Sequence, residues 1–154
     1  MEKSKSELII AVDFDGTIVK HEYPEIGESV PYAFEVLKEL VNRGHKLILF
    51  TMRSNKPYIE KIKMIDLVTN KEMFKIVERN TLQEAIDFCS KNGIHFYGIN
   101  SNPTQKLWTK SPKAYAHIYI DDAALGCPLI YDKHSRPYVD WLAVKVLLIN
   151  QGNK

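Results

Sequence analysis

Short apolar runs that alternate with helical patterns constrain the fold of this chain more than any other feature. Residues 7–12 and 46–50 are nearly continuous apolar runs, typical of strands buried on both faces of a parallel sheet. Residues 94–99 and 117–120 are further strand candidates, rich in β-branched and aromatic side chains. Helical spacing between and after these runs predicts three helices, over residues 31–43, 81–92 and 139–149. The alternation predicts an α/β protein, a three-layer α/β/α Rossmann-like sandwich around a mainly parallel sheet.

Two connections are longer than the others. Residues 16–30 are rich in Pro, Gly and Glu, which is typical of an ordered loop or a small flap. Residues 56–79 fit two interpretations: two helices, or a helix followed by a hairpin that turns near residues 69–71. This stretch is long enough for a small insertion. The helix that follows begins with Thr81, which we expect to cap it in a capping box with Glu84.

Composition excludes several classes of protein. The chain has 154 residues, the size of one ordinary domain, and no linker or repeat divides residues 1–154. With 21 Lys and Arg against 19 Asp and Glu, the net charge of +2 gives no strong nucleic-acid signal. No apolar run approaches the roughly 20 residues that span a bilayer, so no membrane partner is expected. Cys89 and Cys127 lack metal-site spacing and the chain start is polar, so we expect two free thiols and a cytoplasmic location, with one disulfide between them as the alternative.

Potential catalytic groups directly follow three of the apolar runs. Asp13 and Asp15 follow the first run, Thr51 follows the second, and Asp121 and Asp122 follow the last. Because ligands of open α/β sheets bind at the carboxyl ends of the strands, we expect these groups to share one edge. Up to four carboxylates would then repel one another unless a hard cation neutralised them. Carboxylate oxygens of this kind suit Mg²⁺.

These residues also carry a family resemblance. The segment 13–17, which reads Asp-Phe-Asp-Gly-Thr, resembles the first signature of the haloacid dehalogenase (HAD) superfamily. Thr51 is similar to the second motif of that superfamily, Lys113 to the third, and the pair Asp121-Asp122 to the fourth. The four occur in the family's order and span residues 13 to 122. The resemblance implies a small, capless or minimally capped, phosphatase-like member.

The resemblance also implies a mechanism. Asp13 would attack phosphorus and form an aspartyl-phosphate, while Asp15 would protonate the leaving oxygen and then activate water. Thr51 would hydrogen-bond a phosphoryl oxygen, and Lys113 would offset the negative charge. Mg²⁺ would bridge Asp13, the backbone carbonyl of Asp15, and Asp121. The dehalogenase branch lacks an Asp at the position of Asp15, which favours a phosphatase.

Other assignments are left open. Asp122 is an auxiliary metal ligand or a residue that orients the ligands. Arg53 either contacts phosphate or substrate, or is a surface arginine. Lys106 and Lys110 are alternatives to Lys113 as the motif lysine.

The resemblance therefore implies an Mg²⁺-dependent phosphomonoester hydrolase. Its partner would be a phosphorylated small molecule or a phosphorylated polymer end, at an open site, and a homo-oligomer is left open. The segment His21-Glu22-Tyr23, in the loop after the first motif, is a candidate for contact with substrate. One alternative is a catalytically idle binding module with the HAD fold. A phospho-accepting receiver domain is a second alternative, although receivers place the phosphorylated Asp on a middle strand.

Overall fold

Eight strands and three α-helices make up the regular structure of residues 6–151, the part of the chain that the computed structural model describes. Residues 1–5 and 152–154 of the predicted domain lie outside the described residues. In chain order the elements are β1 (Ile9–Val12), α1 (Ala33–Asn42), β2 (Lys46–Leu49), β3 (Tyr58–Ile65), β4 (Glu72–Arg79), α2 (Thr81–Lys91), β5 (Gly98–Ile99), β6 (Ile118–Ile120), β7 (Leu129–Ile130), β8 (Tyr138–Val139) and α3 (Trp141–Gln151).

The three strands that precede the motifs, β1, β2 and β6, form one parallel sheet together with β5. The strand order in this sheet is β5-β2-β1-β6. In the register of the central strand, Ile10 pairs with Leu47 on one side and with Ile118 on the other. The predicted α/β class with a parallel sheet is confirmed. The strand predicted over residues 94–99 is shorter than expected, since only Gly98 and Ile99 pair with β2.

Side chains alternate between the two faces of this sheet, and the faces are covered differently. Ile10, Val12, Leu47 and Leu49 belong to a large apolar cluster that also includes buried side chains of all three helices. The opposite face carries a small cluster built on Ala11, Ile48 and Ala116, to which the helices contribute nothing. The main core thus lies between the helices and one face of the sheet.

The helices differ from the prediction at their starts, and α1 begins at Ala33 rather than at residue 31. Asn80, rather than Thr81, caps α2: its Oδ1 accepts a hydrogen bond from the backbone N–H of Gln83 at 2.9 Å. Thr81 lies inside the helix and is buried. Since Asn satisfies an orphan N–H as well as Thr does, spacing alone could not separate the two. The last helix begins at Trp141, because the preceding residues pair in β8.

Residues 56–79 contain no helix, so the helix in both sequence interpretations is wrong. Instead β3 and β4 form an antiparallel ribbon eight pairs long, which turns over residues 66–71 close to the predicted position. Most of its side chains are exposed on both faces. Contacts with the body lie near the base of the ribbon, where the ring of Tyr58 meets that of Tyr23 and Arg79 pairs with Glu25.

The connection 16–30 is an ordered loop, as predicted. Val19 forms bridges to Asp15 and Ser29, and the backbone N–H of Val30 donates to the carbonyl of Ile18 at 2.9 Å. Ile18 and Val19 are fully buried, so the loop is packed against the core. Among the described residues, no helix has the length and apolar character required to cross a membrane.

Candidate active site

The carboxyl ends of β1, β2 and β6 surround one pocket of about 490 Å³. This is the shared edge that parallel strands were expected to create, and it contains all five of the polar groups predicted to meet there. The pocket is lined by Asp13, Asp15, His21, Tyr23, Thr51, Met52, Arg53, Asp121, Asp122, Ala123 and Arg136.

Three of the carboxylates form a cluster suited to a cation. Oxygen atoms of Asp13, Asp121 and Asp122 all lie within 4.8 Å of one another. Burial, followed by the charge of Asp121 and a hydrogen bond with Asp122, raises the pKa of Asp13 from 3.8 to about 8. Ionisation of Asp13 is therefore opposed by its surroundings, which is the condition that a bound cation relieves.

Thr17 joins the two motifs that form this cluster. Its hydroxyl donates to Oδ2 of Asp13 at 3.0 Å and accepts from the backbone N–H of Asp122 at 3.2 Å. The backbone carbonyl of Thr17 accepts from the indole N–H of Trp141 at 2.7 Å. Because Thr17 is fully buried, these bonds hold the turn after β1 against the loop after β6.

The turn after β1 requires glycine. Gly16 has φ of +83°, and a Cβ there would lie 2.1 Å from Nε2 of His21 and 2.4 Å from Oδ2 of Asp122. Those two side chains are hydrogen-bonded to each other at 2.8 Å. His21 thus contacts the acidic cluster through Asp122. In the sequence, His21 was a candidate for contact with substrate.

The side chain of Asp15 does not join the cluster. It forms a two-pronged ion pair with Arg53, with Nε to Oδ2 at 2.7 Å and Nη2 to Oδ1 at 2.8 Å. The expectation that Asp15 contributes to a metal site can therefore concern only its backbone carbonyl. The expectation that Arg53 binds phosphate is not supported by this geometry, because its guanidinium is committed to Asp15.

Arg53 is buried, with 2% of its area exposed, so it is not a surface arginine. Its remaining donors bond to the carbonyls of Pro24, Glu25 and Thr81 at 3.2, 2.8 and 3.3 Å. Arg53 therefore connects Asp15 to the loop after β1 and to the start of α2. A buried arginine with all of its donors engaged is a structural anchor for the residues it touches.

Thr51 lies in the pocket, as predicted, and a residue that the sequence did not reveal holds it there. Its backbone N–H donates to Oδ1 of Asn100 at 2.7 Å, and its hydroxyl accepts from the backbone N–H of Arg53 at 3.1 Å. The Thr51 hydroxyl hydrogen remains available to a ligand. Asn100 follows β5 and has φ of +53°, a conformation that Asn tolerates better than most residues.

The predicted motif lysine is not among the pocket residues. Lys113 is exposed, and its ammonium lies 5.6 Å from the ring centre of Tyr119. The alternatives Lys106 and Lys110 line a different surface cavity, beside Asn102 and Pro112. The role of Lys113 therefore stays a prediction.

Sequence reasoning missed several pocket residues. Arg136, from the loop between β7 and β8, and the exposed side chain of Met52 line the pocket. No periodicity or motif marks these two, because they come from loops whose position depends on the fold. Tyr23, which belongs to the loop segment expected to face substrate, also lines the pocket.

Comparisons with known proteins add one relative. No family model matches the sequence, and no curated protein matches it. The chain is similar to a solved structure described as that of a conserved protein from Bacteroides thetaiotaomicron, with 32% identical residues and a TM-score of 0.67. The match covers 95% of this chain and 93% of that one. The chain belongs to the same family as this Bacteroides protein. That description names no activity, so the match supports the fold and assigns no chemistry.

Proposed function

We propose that the protein is an Mg²⁺-dependent phosphomonoester hydrolase of the HAD type that acts through an aspartyl-phosphate. The observation that carries the proposal is the convergence of Asp13, Asp121 and Asp122 within 4.8 Å at the end of a parallel sheet. Asp13 belongs to the segment that resembles the superfamily's first motif, and the pair comes from the segment that resembles its fourth. The pocket, of about 490 Å³, is large enough for a small phosphorylated molecule.

The residues present fit a hard cation. Asp13, Asp121 and Asp122 offer only carboxylate oxygens, which favour Mg²⁺ over softer metals, and few enough of them to leave positions for water and phosphate. These three side chains would hold the ion. When bound, it would neutralise charge on the cluster and on the phosphoryl oxygens.

Asp13 is the proposed nucleophile. Its carboxylate would form a bond to phosphorus as the bond from phosphorus to the leaving oxygen breaks. Water would then attack the aspartyl-phosphate, release inorganic phosphate and regenerate Asp13. The Thr17 hydroxyl, at 3.0 Å from Oδ2, fixes the orientation of the Asp13 carboxylate before the reaction.

Asp15 is the proposed proton carrier. In the first step it would give a proton to the leaving oxygen, and in the second it would take one from the attacking water. A carboxylate accepts about four hydrogen bonds and the Arg53 guanidinium uses two, so Asp15 retains sites for a proton. We assign Arg53 the positioning of Asp15, and Thr51 a hydrogen bond to a phosphoryl oxygen. Lys113 keeps its proposed role of offsetting phosphate charge.

We also infer a three-layer Rossmann-like sandwich, in which the second face of the sheet is covered by the segment that contains the 3₁₀ turn at Gln105–Leu107 and contributes Ala116 to the small cluster there. A phosphorylated small molecule or polymer end is the substrate class, and the location is cytoplasmic. The alternative of an idle binding module with the same fold predicts ion binding without turnover.

The test is hydrolysis of an aryl phosphate by metal-stripped protein with and without added Mg²⁺. Wild-type protein is compared with Asp13→Asn and with Asp87→Asn, which makes the same chemical change on an exposed position of α2. We expect activity that requires Mg²⁺, that is lost in Asp13→Asn and that is kept in Asp87→Asn. Activity that is indifferent to both Mg²⁺ and Asp13 would overturn the proposal, and ion binding without any turnover would favour the idle module.

A further inference from the structure

The pocket has a partly buried floor and an exposed rim. Asp13, Asp15 and Thr51 line the pocket and are partly buried, and together they form its floor. The rim is formed by the exposed residues Tyr23, Met52, Ala123 and Arg136. A substrate whose phosphoryl group reaches the floor therefore leaves its organic part beside the rim.

The basic side chains of the pocket differ in whether they are already engaged. Arg53 is paired with Asp15, and His21 is hydrogen-bonded to Asp122. Arg136 forms no hydrogen bond or ion pair with any residue from 6 to 151. It is the basic side chain among these three that is available to a ligand.

The position of Arg136 is set by the fold. The residues that follow it are buried in β8, with Tyr138 and Val139 exposed by 6% and 0%. The backbone N–H of Val139 donates to the carbonyl of Gly16 at 3.0 Å, which ties this hairpin to the turn of the first motif. Pro137 restricts the backbone directly after Arg136. The guanidinium is thus presented at the pocket by an anchored hairpin.

We propose that Arg136 binds a second anionic group of the substrate, a carboxylate or a second phosphate, at the rim of the pocket. The inference rests on the proposed function and names its substrate class: phosphomonoesters of molecules that are themselves negatively charged. A guanidinium matches both groups because it donates two parallel hydrogen bonds to a pair of oxygens. The floor of the pocket binds the reacting phosphoryl group, and Arg136 binds the second anionic group at the rim.

The experiment compares two pairs of esters that differ in one anionic group. Phosphoglycerate is compared with glycerol phosphate, which has a hydroxymethyl group in place of the carboxylate. Glucose bisphosphate is compared with glucose monophosphate, so that the two pairs separate recognition of a carboxylate from recognition of a second phosphate. The enzymes are wild type, Arg136→Gln, Arg136→Lys and, as a matched control, Lys133→Gln, which removes a charge from the same loop at an exposed position outside the pocket.

We expect kcat/KM of the wild type to favour the more anionic ester in at least one pair. In Arg136→Gln that preference should fall by roughly 10- to 100-fold, the effect of losing one charge-assisted pair of hydrogen bonds. Arg136→Lys should keep part of the preference, and Lys133→Gln should keep all of it. Equal preferences in wild type and Arg136→Gln would overturn this inference and leave the proposed function intact. Failure of the wild type to hydrolyse any ester with Mg²⁺ would overturn the proposed function itself.

Discussion

The substitution Asp13→Asn should stabilise the protein in the absence of divalent cations. Asp13 has a pKa near 8 in the folded protein because burial and the charge of Asp121 oppose its ionisation, against an ordinary value of 3.8. Between about pH 4 and pH 8, the Asp13 carboxyl is therefore protonated in the folded state and ionised in the unfolded state. Since the folded state binds more protons in this window, stability of the wild type falls as the pH rises through it and is constant above pH 8.

The magnitude follows from the same values. A difference of about four pH units, at 1.36 kcal/mol each, sets an upper bound of about 6 kcal/mol on the cost of ionising Asp13. Solvent screens part of this cost because Asp13 is only partly buried, so we expect a gain of about 2 kcal/mol for Asp13→Asn at pH 8.5. Near pH 5 the wild-type carboxyl is protonated, and the two proteins should differ little.

The assay is urea unfolding in the presence of a chelator at pH 5 and at pH 8.5, followed by tryptophan fluorescence. Asp15→Asn is the matched control, since it makes the same chemical change two residues away. It should destabilise the protein at both pH values because it leaves the buried Arg53 without its charged partner. Two results would show that burial does not raise the pKa of Asp13. One is a stability difference between wild type and Asp13→Asn that is the same at both pH values, and the other is a loss of stability in Asp13→Asn at pH 8.5. Added Mg²⁺ should stabilise the wild type at pH 8.5 more than Asp13→Asn, because the ion binds the folded state through this carboxylate.

Three further predictions concern the surroundings of the site. Gly16→Ala should abolish Mg²⁺-stimulated phosphatase activity, because its Cβ would lie 2.1 Å from Nε2 of His21; retention of more than half of the activity would contradict the assigned geometry. Arg53→Met should lower the free energy of unfolding by about 3 kcal/mol because it leaves Asp15 unpaired, whereas Arg53→Lys should lower it less. Urea unfolding measures both losses, and equal losses would argue against the ion pair. Replacing residues 62–75 by a short turn should leave the melting temperature of the protein within a few degrees of wild type, because the outer part of the ribbon is exposed; a large drop in a thermal melt would show that the ribbon supports the core.

The sheet and the acidic cluster could be predicted because their signals are local. Each buried strand is an apolar run, and the polar residue that follows it is adjacent in sequence, so Asp13, Thr51 and Asp121 could be placed at one edge. The register of parallel strands then brings residues more than 100 positions apart into one cluster. Local pattern and topology together were sufficient for this part of the site.

Other parts depend on contacts that no local pattern reports. The pairing of Asp15 with Arg53 spans 38 residues, and nothing near Arg53 in the sequence indicates burial. The ribbon was mistaken in part for a helix because both of its faces are exposed, so its side chains lack the strict alternation of a half-buried strand. Arg136 reaches the pocket only because β8 is tied to the turn at Gly16.

Trapping the covalent intermediate shows whether Asp13 is the nucleophile. Protein that is turning over an aryl phosphate with Mg²⁺ is quenched, reduced with borohydride and digested for mass spectrometry. Borohydride reduces an aspartyl-phosphate to homoserine. We therefore expect homoserine in place of aspartate at position 13 and an unmodified residue at position 15. Reduction at any other carboxylate, or phosphatase activity with no modification at Asp13, would show that Asp13 is not the nucleophile.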